Sequence, residues 1–267
     1  MSNSPLVNYT RITPKSNPRK NAIYNPTGKI TIITPHIIAG NMTVEQAGEW
    51  FVNNNRSASA NYSIGTDGRI GLHVEEDHRA WTSSSRANDY KAITIEVAND
   101  GGEPDWHISD KALESLIKLC VDICKRNGIE KLNFTGNKNG NLTMHKYFAA
   151  TGCPGPYLES KFPYIEQEVN RRLGLAVPEP EQTAPEKTNE GEFDMKMRTL
   201  QYGSNGEDVK ALQILLVGNG CPCGKWGADG DFGISTENAV KEYQRKKKLQ
   251  VDGIAGPATW GKLLGRS

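Results

Sequence analysis

Residues Ala92–Ala98 read AITIEVA, and Asp110–Gly128 read DKALESLIKLCVDICKRNG. The first is an apolar, β-branched run with one acid, Glu96, inside it, the pattern of a buried strand. The second sets Leu113, Leu116, Ile117, Cys120 and Cys124 on one stripe at helical spacing and stops at Gly128. It predicts a helix over Asp110–Asn127 with its cysteines packed in the core. A buried strand followed by an amphipathic helix predicts a layered α/β architecture.

The flanking segments extend that pattern. Upstream, Ile30–Thr34 is a second β-branched run that ends in Pro35-His36. Thr43-Val44-Glu45-Gln46 has capping-box spacing and opens a helix through about Phe51. Tyr62-Ser63-Ile64 and Arg69-Ile70 flank Gly65-Thr66-Asp67-Gly68, a hairpin signal over Asn61–Ile70. Downstream, Asn141–Met144 is predicted as a strand ending in His145. Leu158–Leu173 is predicted as a helix buried through Phe162, Ile165 and Val169.

After Leu173 the composition changes. Gly174–Asp194 reads GLAVPEPEQTAPEKTNEGEFD, with three prolines and six acids against one lysine. Such a stretch has too little apolar surface to offset ordering and is predicted as an extended linker. Three parts follow: 1–173, 174–194 and 195–267. In the last part Asp229-Gly230-x-x-Gly233-x-x-Thr236 recurs as Asp252-Gly253-x-x-Gly256-x-x-Thr259. Each copy reads as a turn feeding a helix, with Ser235 or Thr236 in the capping region of the first and Pro257 in the first turn of the second. With a helix over Glu207–Leu216, this predicts a small three-helix domain. Its core is Val209, Leu212, Leu216, Ala239, Val240, Tyr243, Trp260, Leu263 and Leu264.

Composition excludes several classes. Of 267 residues, 36% are hydrophobic and 24% charged, a soluble globular balance. No apolar run is long enough to cross a membrane, so no membrane insertion is expected. A net charge of +1 argues against a nucleic-acid partner. The N-terminus has no apolar segment of the secretory type, so the chain is expected to be made in the cytoplasm. Five cysteines are too few for a disulfide scaffold, which leaves thiols or metal ligands.

Chemistry concentrates at three residues. His36 and His145 close two predicted strands. Cys153 follows His145 by eight positions within Thr151-Gly152-Cys153-Pro154-Gly155. Two imidazoles and a thiolate suit zinc, and a catalytic zinc needs three protein ligands and one open position. The bland alternatives are a satisfied polar histidine and an ordinary Cys-Pro-Gly turn over a buried thiol. His73, His78 and His107 lie near acid-rich loops and are read as surface or supporting residues. Asp229 and Asp231 lack the other ligands of a calcium loop and are read as turn residues. The role of Cys221-Pro222-Cys223 stays open.

The ordered set His36, Ser59-Ala60-Asn61-Tyr62-x-Ile64, Asp67-Gly68-Arg69-Ile70, Arg79-Ala80-Trp81, Ile95-Glu96 and His145 with Thr151–Gly155 resembles the type 2 N-acetylmuramoyl-L-alanine amidases, relatives of the peptidoglycan recognition proteins. The resemblance covers roughly residues 20–173. Gly203-Ser204-Asn205-Gly206-Glu207-Asp208-Val209 and Gly230-Asp231-Phe232-Gly233 resemble the helical peptidoglycan-binding domain type 1. The joint layout is similar to that of phage and prophage endolysins. It implies a mixed central sheet flanked by helices, with zinc in a surface groove held by His36, His145 and Cys153.

The implied reaction is hydrolysis of the amide between N-acetylmuramic acid and L-alanine in peptidoglycan, which causes wall lysis. Glu96, the acid inside an apolar strand, is the candidate general base. One branch of the family carries a catalytic tyrosine where Ala60 stands here, so that role falls to Glu96. Many members carry lysine two residues before the ligand cysteine; Thr151 stands here, and its hydroxyl is the candidate oxyanion donor. Trp81 and Lys146 are weaker substrate-binding candidates. The alternatives are a non-catalytic wall sensor or adhesin and a zinc peptidase acting on wall peptides.

The bacterial wall is the expected partner, reached after release by a lysis partner. The linker would span roughly 25 Å as a coil and keep the catalytic part close to a bound wall. Met195 and Met197 stand at its far end, after Gly191-Glu192. An internal start there would yield a free C-terminal fragment able to associate with the full-length chain.

Overall fold

The computed structural model describes residues 2–104, 106–175, 197–224, 227–230 and 232–265. The chain forms two compact units, Met1–Gln182 and Thr183–Ser267. The predicted linker lies outside the described residues apart from Gly174 and Leu175, as do Met195 and Asp231.

The first unit is built on a five-stranded mixed sheet. Its strands are β1 (Tyr9–Thr10), β3 (Ile32–Ile38), β4 (Tyr62–Ile64), β5 (Ile70–Leu72) and β7 (Ala92–Ala98), in the order β1-β5-β4-β7-β3. β7 runs parallel to both neighbours, β4 and β5 form the antiparallel hairpin, and β1 joins β5 in parallel. A separate ribbon pairs β2 (Ser16–Pro18) with β6 (His78–Ala80).

Helix α1 (Val44–Asn53) packs on β1, β4 and β5. The short α2 (Arg86–Asp89) precedes β7, α3 (Asp110–Asn127) packs on β4 and β7, and α4 (Pro156–Arg172) packs on α3. The capping box at Thr43 and Gln46 forms as the sequence predicts. Helix α3 runs from a Ser109 cap to Gly128 in the left-handed region. Its stripe Leu113, Leu116, Ile117, Cys120 and Cys124 is fully buried. Each such aliphatic side chain contributes about 1.5–3 kcal/mol.

Three expectations are corrected. The first strand does not stop before Pro35-His36 but carries both residues in its middle. Proline is tolerated there because β3 is the sheet edge. Asn141–Met144 is not a strand. Leu142 makes a single bridge to Ile33, held by Ile33 N–H to Asn141 O and Thr143 N–H to Ile33 O, and the chain then turns into a 3-10 turn at His145–Tyr147. Helix α4 begins two residues early, because Pro156 suits its first turn.

One buried charge ties the loops together. Arg19 is wholly buried, and its guanidinium donates to the carbonyls of Glu76 (2.5 Å), His78 (2.7 Å) and Ala92 (2.8 Å). Asp89 and Tyr90 carbonyls accept at 3.3 Å. Burial lowers its pKa to about 10 against the pull of nearby acids, so it stays charged at neutral pH.

In the second unit the described helices are α5 (Glu207–Gly218), α6 (Ile234–Lys246) and α7 (Pro257–Leu263). Val209, Leu212, Leu216, Ala239, Val240, Tyr243, Trp260 and Leu263 share one core, which Cys221, Cys223 and Phe232 join. Leu264, predicted inside, is 39% exposed because α7 ends before it. The repeat is a pair of polar latches. Gln213 donates to Asp229 Oδ1 (2.8 Å) and Thr236 Oγ1 (2.9 Å) and accepts from Gly230 N–H (2.8 Å). Gln244 donates to Asp252 Oδ1 (2.7 Å) and Thr259 Oγ1 (3.1 Å) and accepts from Gly253 N–H (3.0 Å). Thr236 thus serves the latch, while the cap position of α6 falls to Gly233, with no side-chain cap bond.

Arg19→Met removes a donor from five carbonyls, of which His78 O and Tyr90 O keep the amides of Asn61 and Asn25. With buried unpaired groups costing about 1–3 kcal/mol each, the variant loses at least about 3 kcal/mol, roughly 6–12 °C in melting temperature. Thermal unfolding of the full chain reads this; a shift below about 2 °C contradicts it.

Candidate functional site

His36 and Glu96 are directly opposite each other in the β3–β7 ladder, and Ser63 on β4 pairs with Glu96 from the other side. Cross-strand partners point to one face of a sheet, so these three side chains form a row. His145 reaches the same place from the chain that bridges to β3. Its approach is fixed two residues earlier, where Thr143 Oγ1 lies 2.9 Å from Thr34 Oγ1 and both hydroxyls hydrogen-bond Asn88. Cys153 returns on the following loop. Cys153 N–H donates to Thr151 Oγ1 (3.2 Å), Lys146 N–H donates to the Cys153 carbonyl (3.2 Å), and Gly155 N–H donates to the Gly152 carbonyl (2.7 Å). Gly155 caps α4 at φ 81°, and a Cβ there would lie 3.0 Å from Trp106 Cβ, so the turn requires glycine.

Cys153 Sγ lies 3.4 Å from His36 Nδ1, the two imidazole rings are 4.8 Å apart, and one ligand atom from each of the three residues lies within 4.8 Å of the others. Two donors at about 2.1 and 2.3 Å from a tetrahedral ion stand about 3.6 Å apart. The three side chains therefore have the spacing of a ligand set. Nε2 of His36 and Nε2 of His145 are buried without a hydrogen-bond partner among the described residues. Burial lowers the pKa of both histidines, and the neighbouring His145 lowers that of His36 further. Both rings are thus neutral, the form that binds a cation.

Burial pushes the Glu96 carboxyl up to about 8, although its side chain keeps 19% of its surface open. Its Oε1 is 4.0 Å from His36 Nδ1. Burial and the neighbouring Glu96 raise the Cys153 thiol to about 12. Each of these acidic groups is held in its neutral form by a lack of solvent, and a cation at the site reverses that preference.

The remaining sequence candidates are placed as follows. Thr151 is exposed and its hydroxyl accepts from Cys153, leaving its proton to donate outward. Lys146 turns to the surface and pairs with both oxygens of Glu159 at 2.8 Å. Trp81 is half-buried, with Nε1–H donating to Asn17 Oδ1 (2.8 Å). His78 and His107 pair with Asp77 and Asp100. Two features escaped the sequence reading. Ser63 beside Glu96 becomes visible only once the register is known. Glu75, Asp77 and His78 gather at the surface as a second cluster with metal-ligand spacing.

The chain is similar to known proteins over both of its units. Residues 26–156 match the family described as N-acetylmuramoyl-L-alanine amidase, a span that holds His36, Glu96, His145 and Cys153. Residues 205–263 match a peptidoglycan binding domain. The N-acetylmuramoyl-L-alanine amidase CwlL of Bacillus licheniformis is 28% identical over 198 residues, 72% of this chain and 50% of that protein. The zinc D-Ala-D-Ala carboxypeptidase of Streptomyces albus G is 45% identical over 65 residues, 24% of this chain and 26% of its own length. Among solved structures, the endolysin amidase LysCS from Clostridium intestinale is 22% identical, with 66% of this chain and 100% of that one covered and a TM-score of 0.44. The chain spans about half the length of the curated amidases it matches.

His73 is the buried histidine that belongs to the fold. Its Nδ1–H donates to Arg11 O (3.2 Å), Nε2 accepts from the Ser63 hydroxyl (2.7 Å), and burial lowers its pKa to about 4. The unfolded chain, with an ordinary histidine near 6.5, binds this proton first, so the group's stabilisation is lost as pH falls from about 6.5 to 4. His73→Gln flattens the pH dependence of stability in that window by up to about 1.4 kcal/mol per pH unit. Urea unfolding at pH 6.5, 5.5 and 4.5 measures it; parallel slopes for parent and variant refute it.

Proposed function

We infer that this chain, which carries an N-acetylmuramoyl-L-alanine amidase domain followed by a peptidoglycan binding domain, hydrolyses the amide between N-acetylmuramic acid and L-alanine in the bacterial wall with the help of zinc. The observation that carries the reading is the convergence of His36, His145 and Cys153, with two orphaned ring nitrogens, beside a carboxyl that the fold keeps out of water. The residues present fit a zinc ion: two neutral imidazoles and a thiol that becomes thiolate on binding. When bound, zinc supplies the positive charge that polarises the carbonyl and acidifies a water, from about 15.7 toward ~7.

The chain's own groups do the rest. Glu96, as carboxylate, takes a proton from the attacking water as its oxygen adds to the lactyl carbonyl carbon. It then gives that proton to the departing nitrogen as the C–N bond breaks, leaving a carboxylic acid and the free amine of L-alanine. The Thr151 hydroxyl donates to the oxygen that gains negative charge. Lys146 stays with Glu159 and outside the reaction, and Trp81 braces the wall of the groove through Asn17.

The surface groove and the division of labour with the second unit belong to the same reading: the small helical domain holds the wall while the α/β unit cuts it. A zinc peptidase would instead release amines from inside the wall peptide, and a sensor would release none.

Metal analysis beside a turbidity assay separates the roles. His145→Ala loses the metal and the lysis together. Glu96→Ala keeps the metal and loses about 10²–10⁴ in rate. Digested walls show new alanine amines and no new reducing ends. Retention of lysis by Glu96→Ala, or amines on other residues, overturns the assignment. Metal affinity gives a second readout. Cys153→Ser binds zinc more weakly than the parent, whereas Cys120→Ser and Cys124→Ser, altered in the core, leave the affinity unchanged. Equal zinc affinity of Cys153→Ser and parent removes Cys153 from the ligand set.

A further inference from the structure

The two polar latches of the second unit differ in one respect. Gln213 precedes its aspartate by sixteen residues, whereas Gln244 precedes its own by eight. In the first copy part of the extra chain folds back over the start of α6. Gly224 sits so close to Ser235 that a Cβ on it would lie 2.7 Å from Ser235 Oγ, and Cys223 Sγ lies 3.9 Å from the Gln213 carbonyl. Ala258 occupies the Ser235 position of the second copy. Among the described residues no such chain covers it, and a cavity of about 190 Å³ remains, walled by Leu249, Gln250, Ile254, Pro257 and Ala258.

The floor of this cavity is rigid, since the Gln244 carboxamide is buried and hydrogen-bonded at both ends. Its rim carries Asp252. Oδ1 of that residue accepts from Gln244 Nε2 and Ile254 N–H, while Oδ2 takes no hydrogen bond from the described residues and Asp252 is exposed. An aliphatic cup with a free carboxylate oxygen at its lip complements a small aliphatic side chain next to an ammonium group.

We propose that this cavity is the wall-recognition site of the second unit and that it takes the peptide part of the polymer, with an alanyl methyl in the cup and the ammonium of a neighbouring diamino-acid residue on Asp252. The assignment rests on the reading that this unit binds peptidoglycan. Within that reading it selects peptide over sugar and one copy of the repeat over the other.

The test uses the full chain carrying Glu96→Ala, so that walls stay intact, with three probes: purified sacculi in a sedimentation assay, and L-Ala-D-Glu-L-Lys-D-Ala and the N-acetylglucosamine–N-acetylmuramic acid disaccharide in calorimetry. The parent binds sacculi and the peptide. Ala258→Phe, which fills the cup from an exposed position, weakens both at least tenfold. Asp252→Asn keeps the Oδ1 acceptor and hence the latch, and weakens peptide binding by a similar factor that shrinks at high salt. A melting curve checks that each variant folds. Unchanged binding by both folded variants overturns the cavity while leaving wall binding in place. Binding of the disaccharide but not the peptide overturns the ligand. Failure of the parent to sediment with sacculi overturns the underlying reading instead.

Discussion

The parallel ladder between β3 and β7 is the constraint on which the site depends. Seven consecutive residues pair, Ile32 with Ala92 through Ile38 with Ala98. Side chains alternate faces along a strand, so a slip of one residue would send either His36 or Glu96 to the opposite face. The register is held by burial: Ile33, Ile93, Ile95 and Val97 are fully buried. Hydrophobic packing therefore sets the chemistry. The same strand receives the bridge at Leu142, which positions His145, and His36 is the residue that Cys153 meets. Three distant stretches of chain are referred to one edge strand.

That arrangement is costly without an ion. Two imidazole nitrogens are buried unpaired, and a carboxyl and a thiol are pushed toward their neutral forms beside them. Each buried unpaired group costs on the order of 1–3 kcal/mol. The surrounding structure sustains it: Arg19 pins the loops around β6, α2 and β7, and the Thr34–Thr143–Asn88 cluster fixes the approach to His145. Unpaired groups of this kind persist where the surrounding fold holds them in place.

What the sequence made legible was whatever follows from periodicity. The α3 stripe, the AITIEVA strand, the Thr43 capping box and the hairpin turn at Gly65–Gly68 are each local patterns, and each appears where it was expected. His36, His145 and Cys153, which the sequence singled out from three separate stretches, also come together in the structure. Position was less legible. The run Ile30–Thr34 places His36 at a strand end, whereas the ladder carries it in the middle of β3, an edge strand that tolerates Pro35. Arg19 lay in a polar stretch with no periodic signal, and its role depends on carbonyls 57 to 73 residues away. Strands of two or three residues, such as β1, β2 and β6, are too short to carry a pattern.

The second unit shows how a repeat can be visible while its physics is hidden. The Asp-Gly turns and threonines recur at fixed spacing, but the glutamines that bind them sit at unequal distances upstream, so the motif reads as turn chemistry alone. In the structure Gln213 and Gln244 are both nearly inaccessible, and each satisfies a turn and a helix start with one carboxamide. A small domain has little core to define its loops, and here the cysteines remain free thiols within it rather than cross-links. Fully paired polar groups at its centre supply the specification instead, since any other packing would strand the amides and carboxylates without partners. Because each latch is satisfied internally, neither needs a ligand to fold. Among the described residues, chain around Gly224 lies against the start of α6 at Ser235, while the matching Ala258 of the second copy is exposed, so two turns built on the same latch present different surfaces.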